Sequence, residues 1–224
     1  VEGLEDALDF AHTVGYPVVV KPDNGVGANN TYKLSSDEDL EFFMDHKNDE
    51  VYIMEEYVRG YVQTFDAIVD SKGQPLFESG NITPESIMDI VNDNRDSTYY
   101  LVKNVPENIR SAGLRTVKAF GVKSRFIHLE FFVLSEDQQG LGKKGDVLGL
   151  EVNMRPAGGY TPDMYNYSQE TDVYKIWADM VCFDKNTKPI GAHHYCAFYG
   201  RRDGTHYKLD DYEIMMKYRD HMVM

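Results

Sequence analysis

The segment from Phe126 to Met154 constrains the chain more than any other. Phe126-Ile-His-Leu-Glu-Phe-Phe-Val-Leu134 is aromatic and aliphatic with polar residues at alternate positions, which is strand chemistry. Val147-Leu-Gly-Leu-Glu-Val-Asn-Met154 repeats the pattern. The stretch between them, Ser135 to Gly145, is polar and glycine-rich and reads as a loop. A hairpin symmetric about Gly140 and Leu141 sets Glu130 opposite Glu151 and His128 opposite Asn153. Side chains alternate along a strand, so His128 and Glu130 share a face, as do Glu151, Asn153 and Arg155. Ile127, Leu129, Phe131, Val152 and Met154 then point into a core.

Two carboxylates directly opposed on a sheet lie ~5 Å apart at Cβ and repel one another. A cation between them removes that cost. Two carboxylates and an amide, with no thiol among them, suit Mg²⁺, which takes one or two carboxylates together with substrate phosphates. The same residues also allow a wet sheet face on which both glutamates are solvated.

Composition sets the outer bounds. A chain of 224 residues holds one large domain or two small lobes sharing a core. With 42% hydrophobic and 27% charged residues it has the make-up of a soluble globular protein. The net charge of −14 argues against nucleic acid or an anionic membrane as main partner, because phosphate backbones select clustered Lys and Arg. A nucleotide needs only a few local cations and stays open. Cys182 and Cys196 form no CxxC pattern and read as buried thiols in a reducing cytoplasm. No apolar stretch approaches the roughly 18 residues of a bilayer span, and none of these residues reads as a signal peptide.

Helices are expected over Gly3–Val14, Ser36–His46, Pro84–Val91, Pro106–Phe120, Thr171–Phe183 and Asp210–Tyr218. Ser35 and Glu38 suggest a capping box for the second. Ile109, Ala112, Val117 and Phe120 form one apolar side of the fourth, and Val173, Ile176, Trp177 and Met180 that of the fifth. Strands are expected over Tyr16–Pro22, Thr31–Leu34, Val51–Glu55, Tyr61–Asp70 and His194–Tyr199, besides the hairpin. Helices and strands mix without strict βαβ alternation, so the class is α+β with antiparallel sheets.

Four further elements bear on chemistry. Lys21 ends an apolar strand before a loop with Gly25, Gly27 and three asparagines. That is either an ordinary solvated hairpin or a cation and main-chain N–H groups aimed at phosphates. It is not a P-loop, since no Gly-Lys-Ser/Thr follows. Glu55-Glu-Tyr-Val-Arg-Gly60 at a strand end is a solvated terminus or a linker whose main chain offers a donor and an acceptor to a base edge. In Leu150-Glu-Val-Asn-Met-Arg-Pro-Ala-Gly-Gly-Tyr160, Arg155 is a planar fork fitted to a phosphoryl oxygen pair, or else an ion-pair partner of a glutamate. His193 and His194 point to opposite faces of a strand and read as structural, and Arg201 and Arg202 as surface residues.

Taken in this order, Gly15-Tyr-Pro-Val-Val-Val-Lys-Pro22 with its glycine loop, Glu55 to Gly60, Glu130, and Glu151-Val-Asn-Met-Arg-Pro156 resemble the ATP-grasp superfamily. Arg155 to Met164 is most similar to the branch containing biotin carboxylase, carbamoyl phosphate synthetase and glycinamide ribonucleotide synthetase. The resemblance covers about residues 2 to 180. It implies an ATP-grasp fold with residues 1–57 as a small lobe and 58–224 as a large one, the nucleotide lying between them. It implies ATP with Mg²⁺ or Mn²⁺ as cofactors, and activation of a small-molecule carboxylate as an acyl phosphate for attack by an amine. In it Lys21, Gly25 and Gly27 hold phosphates, and the main chain at Glu56, Tyr57 and Val58 reads adenine. Glu130, Glu151 and Asn153 hold the metal, and Arg155 stabilises charge during transfer. Val62 stands where many members carry the ribose-binding glutamate, which turns attention to Gln63 or Asp66. The family's N-terminal lobe is expected to be missing, the stretch to be inactive alone, and the setting to be cytoplasmic. A non-catalytic ATP-binding scaffold or regulatory module is the alternative.

Overall fold

The computed structural model describes residues 3–24, 30–85, 90 and 94–223. Periodicity and stop signals act together at the N-terminus. Helix α1 (Leu4–Val14) buries Ala7 and Ala11 and ends at Gly15, whose φ of +85° suits a residue without Cβ. Strands β1 (Val18–Pro22), β2 (Tyr32–Leu34) and β3 (Tyr52–Glu56) form a sheet in the order β2-β1-β3, antiparallel throughout. Helix α2 (Asp37–His46) starts one residue later than the expected box. Ser36 caps it by accepting from the Asp39 N–H, while the Asp39 carboxylate accepts from the Ser35 N–H. Ala7, Ala11, Val18, Val20, Leu34, Leu40, Phe43 and Tyr52 make the core of this part.

The larger sheet contains β4 (Gly60–Val69), β5 (Pro75–Ser79), β6 (Asn81–Thr83), β7 (Ser97–Leu101), β8 (Arg125–Leu134), β9 (Val147–Asn153) and β10 (Cys196–Gly200). Its order is β10-β7-β6-β4-β8-β9, with β5 paired to β4. Helices α3 (Glu107–Ala119), α4 (Thr161–Gln169), α5 (Val173–Phe183) and α6 (Asp211–Tyr218) complete the described elements, with a 3₁₀ turn at Arg219–His221. The sequence reading did not anticipate β5, β6, β7 or α4. Thr83 belongs to β6, and most of the helix expected over Pro84–Val91 lies outside the described residues.

The chain divides into two compact units. One comprises residues 1–63, 83–95 and 130–151, the other 64–82, 96–129 and 152–224. In the second, Ile68, Phe77, Leu101, Phe126, Ala157, Met164, Tyr165, Val173, Ile176 and Met180 form one apolar core. Ile127, Leu129 and Phe131 are buried as expected, but Val152 and Met154 are each 38% exposed. Phe120 is also exposed, because α3 ends at Ala119 and the chain turns away at Gly121. Cys182 is exposed at the end of α5 rather than buried, and both cysteines are free thiols.

Val62 to Val69 of β4 are all buried, so both faces of this strand are covered. On one face Phe65 meets α3 so closely that a Cβ on Gly113 would stand 2.2 Å from the Phe65 ring. Gly113→Ala is therefore expected to lower the unfolding free energy by about 1–3 kcal/mol through overpacking. At an open helix position the same change gains roughly 1 kcal/mol. Urea unfolding checks it, and an unchanged or raised midpoint would show that α3 can move off β4 freely.

Candidate functional site

In the first unit, the β1–β3 pairing places Lys21 beside Ile53 and Val19 beside Glu55, with Lys21 and Glu55 on one face. Lys21 Nζ meets Glu55 Oε2 at 2.6 Å. The lysine at the strand end is thus ion-paired, and only 27% of its side chain is exposed. Gly25 and Gly27 lie outside the described residues.

A short linker, Tyr57 to Arg59, follows β3 directly and is called the hinge below. Tyr57 lies under the Lys33 ammonium, 4.1 Å from ring centroid to Nζ. The Tyr57 carbonyl accepts from Gln138 Nε2 at 3.0 Å, and the Arg59 N–H donates to Gln138 Oε1 at 2.6 Å. Ser135 N–H donates to the Arg59 carbonyl at 2.9 Å, and Arg59 pairs with Glu136 at 3.1 Å. Gly60 closes the seam, since a Cβ there would lie 2.4 Å from the Val133 carbonyl oxygen. Past it, Gln63 is buried, and its Nε2 has no hydrogen-bond partner among the described residues. A buried donor left unpaired is costly. Val62 is buried and apolar.

The loop from Ser135 to Asp146 is organised by its own hydrogen bonds. Gln138 N–H donates to Gly142 O, and Gly142 N–H returns to Gln138 O. Lys144 N–H is held by Asp137, and Lys143 N–H by Asp146. At the loop's exit Leu134 N–H donates to Asp146 O at 3.0 Å, while Gly145 N–H donates to Leu134 O at 2.8 Å. Two residues oppose one, and Gly145 has φ +90°, the arrangement of a glycine bulge. This corrects the symmetric hairpin, which pairs Leu134 with Val147. Glu130, half-buried, and Glu151, exposed, sit on the adjacent strands β8 and β9.

The second unit holds the remaining candidates. Asn153 is half-buried, with Nδ2 enclosed and unpartnered among the described residues. Arg155 is exposed and donates to the Pro156 carbonyl at 3.0 Å. Among the described residues no three His, Cys, Asp or Glu side chains gather as a metal cage.

His128, expected beside Glu130 on a wet face, is instead buried, with Nδ1 at 2.5 Å from Asp66 Oδ1. Thr64 Oγ1 donates to Asp66 Oδ2 at 2.5 Å and accepts the Asn81 N–H at 2.9 Å. Asp66 is fully buried with both oxygens engaged, which removes it as a ribose ligand. The Tyr165 hydroxyl is enclosed next to this carboxylate without a well-formed hydrogen bond. Burial first, and the Asp66 charge second, push its pKa well above the usual phenol value.

His193 and His194 have separate structural partners, the Lys103 carbonyl and the Glu170 carboxylate. Arg201 is not a loose surface residue. It pairs with Asp211, donates to the Leu209 carbonyl and stacks on Tyr207. Sequence reasoning missed Gln138 and the Asp66–His128 pair. Both join residues far apart in the chain, and nothing local to either residue signals its partner.

No protein-family model and no curated protein sequence matches the chain. Solved structures do. The biotin carboxylase domain of 2-oxoglutarate carboxylase from Hydrogenobacter thermophilus, with MgADP, ADP and bicarbonate, aligns at a TM-score of 0.64 and 17% identity, over 88% of this chain and 44% of that one. N5-carboxyaminoimidazole synthetase from Staphylococcus aureus, with ADP, aligns at 0.64 and 12%, over 85% and 48%. Phosphoribosylglycinamide synthetase from Anaerococcus prevotii aligns at 0.57 and 17%, over 88% and 49%. These are ATP-grasp proteins, and the fold of this chain is the ATP-grasp fold. The chain spans less than half the length of the structures it matches.

The Asp66 network gives a direct test of the buried polar arrangement. Asp66→Asn leaves an amide where two donors need an acceptor. It is expected to cost about 3 kcal/mol, as removing one member of a buried pair does. Chemical denaturation measures it, and a wild-type midpoint would show that the network adds nothing to stability.

Proposed function

We propose that the chain is the ATP- and Mg²⁺-dependent part of a carboxylate ligase, which activates a small-molecule carboxylate as an acyl phosphate for attack by an amine. The observation that carries this reading is the coincidence of the ATP-grasp fold with Glu151 and Asn153 on the strand next to the one bearing Glu130, and Arg155 two residues past that strand's end. Neighbours of the same fold carry ADP, one of them with magnesium and bicarbonate, which supports the ligand class. The division into a small lobe to residue 57 and a large lobe beyond it belongs to the same proposal.

In this reading Lys21 turns from Glu55 to the α/β phosphates, assisted by the loop with Gly25 and Gly27. The hinge main chain at Glu56 to Val58 takes the base, and Gln63 uses its unpaired amide on the nucleotide. Glu130, Glu151 and Asn153 would hold Mg²⁺. Two carboxylates and the Asn153 amide oxygen make an all-oxygen donor set that fits that ion, while the enclosed, unpartnered Nδ2 of Asn153 is a donor suited to an anionic oxygen and not to the cation. The metal's contribution is to neutralise charge on the phosphate oxygens. Arg155, exposed and with one main-chain acceptor, presents its fork to the acyl phosphate.

The glycine bulge sets a condition on the metal site. With Leu134 opposite Asp146, a regular ladder would pair Glu130 with Leu150, and a one-residue slip turns a side chain to the other face. The two carboxylates share a face only with a second one-residue offset between Leu134 and Glu130. Bulges beside active sites re-aim side chains in this way.

Calorimetry with a non-hydrolysable ATP analogue is expected to show tight binding only with Mg²⁺ present; equal affinity without it would sink the proposal. Glu130→Gln with Glu151→Gln is expected to abolish the Mg²⁺-dependent part and to raise apo stability by roughly 0.2–1 kcal/mol as repulsion is removed. A full ligand-induced melting shift in a less stable double mutant would rule out the shared carboxylate face. Lys21→Ala is expected to weaken the analogue while changing stability by less than about 1 kcal/mol, the worth of a partly exposed ion pair. An early melt with normal binding would mark the lysine as purely structural.

A further inference from the structure

The hinge carries a device that nucleotide binding alone does not explain. Between the end of β3 at Glu56 and the start of β4 at Gly60, residues Tyr57 to Arg59 belong to no strand. One carboxamide stands in for a strand there. Gln138 Nε2 donates to the Tyr57 carbonyl and Gln138 Oε1 accepts the Arg59 N–H, at 3.0 and 2.6 Å. That is the two-bond pattern of a neighbouring strand delivered by a single side chain.

The clamp is preorganised. Gln138 is half-buried, and its own N–H and C=O are both bonded to Gly142 across a tight turn. Gly140 at φ +85° makes that turn possible. Glu136 and Ser135 add further ties to Arg59.

Successive peptide groups of an extended chain point to opposite sides. Occupying Tyr57 C=O and Arg59 N–H on one side leaves Glu56 C=O and Val58 N–H as the paired acceptor and donor on the other. That edge complements a base with an amino donor beside a ring-nitrogen acceptor, the 6-amino purine pattern. A 6-oxo purine presents an oxygen acceptor where the amino group would be.

We infer that Gln138 is a positioning residue for base recognition: its carboxamide clamps the outer edge of the hinge so that Glu56 C=O and Val58 N–H are held in register for adenine. The inference rests on the ATP-site reading above and adds a residue outside the hinge that sets base selectivity. Gln138 itself touches no nucleotide. It acts by fixing the spacing of two main-chain groups, and spacing is what distinguishes a base edge from a triphosphate.

The test compares Mg²⁺ complexes of non-hydrolysable adenosine and guanosine triphosphates by calorimetry on the chain, with thermal melts as a fold control. The wild type is expected to prefer the adenosine analogue. Gln138→Met, close in size but unable to make either bond, is expected to weaken the adenosine analogue about tenfold, the scale of one or two lost hydrogen bonds. The guanosine analogue should be unchanged. Glu136→Ala cuts another tie of the same loop to Arg59 and should leave base selectivity at the wild-type value. A parallel loss of both nucleotides in Gln138→Met, or no loss, overturns the positioning role. Tighter adenosine binding in that variant also overturns it, because the amide would then compete with the base. A wild type that binds neither nucleotide overturns the ATP-site reading itself, and the inference with it.

Discussion

The burial of β4 on both faces is the constraint from which most of the described architecture follows. A strand with one wet face can carry polar residues at every second position at no cost. Val62 to Val69 have no wet face. One side therefore meets α3 through Phe65, with a glycine at the contact because nothing larger fits. The other side carries Thr64, Asp66 and Ile68, the last two beside Tyr165 of α4, and the polar ones must find partners in the interior. Asp66 finds them in Thr64 and His128, and Ile68 joins the apolar cluster with Phe77 and Tyr165. Once the carboxylate is buried, Thr64, His128 and the Asn81 main chain are committed as well.

This arrangement explains what could and could not be read from the sequence. Elements announced by local signals were legible. Helix α1 has an apolar repeat and a glycine stop, α6 has an Asp210–Glu213 capping box, and β8 alternates. The missed elements carry weaker signals. Strands β5, β6 and β7 are short, and α4 has Pro162 and Asp163 in its first turn but Tyr160 at its N-cap with no side-chain capping bond. Their stability comes from tertiary packing, which a local pattern does not show. His128 illustrates the same limit within a site. The alternation sets it among polar neighbours on a wet face, but an aspartate sixty-two residues earlier holds it buried.

The candidate site was legible where it depends on residue type and opaque where it depends on register. Glu, Asn and Arg at every second position are visible in any reading of Glu151 to Arg155. The bulge at Gly145 is not, because Lys144-Gly145-Asp146 could equally be the last turn of the loop. One residue of offset decides whether two glutamates are partners or face apart. Turn geometry is therefore the critical unknown for a metal site built on a hairpin, more than the ligands themselves.

The length of the loop between β8 and β9 follows the same logic from the other side. A minimal hairpin would need only two residues to reverse the chain, and this loop is far longer. Extra loop length costs little in closure entropy, about 0.6 kcal/mol for each doubling. Yet a loop is useful only if it is held, and here three kinds of bond hold it: the Gln138–Gly142 main-chain pair, the carboxylates of Asp137 and Asp146 on loop N–H groups, and the contacts to Arg59. A loop so tied delivers a rigid carboxamide to a segment that belongs to no strand. In the proposed site the hinge gains the order of a strand on one edge and leaves the other to the base, which is the physical requirement for reading a ligand by main-chain groups.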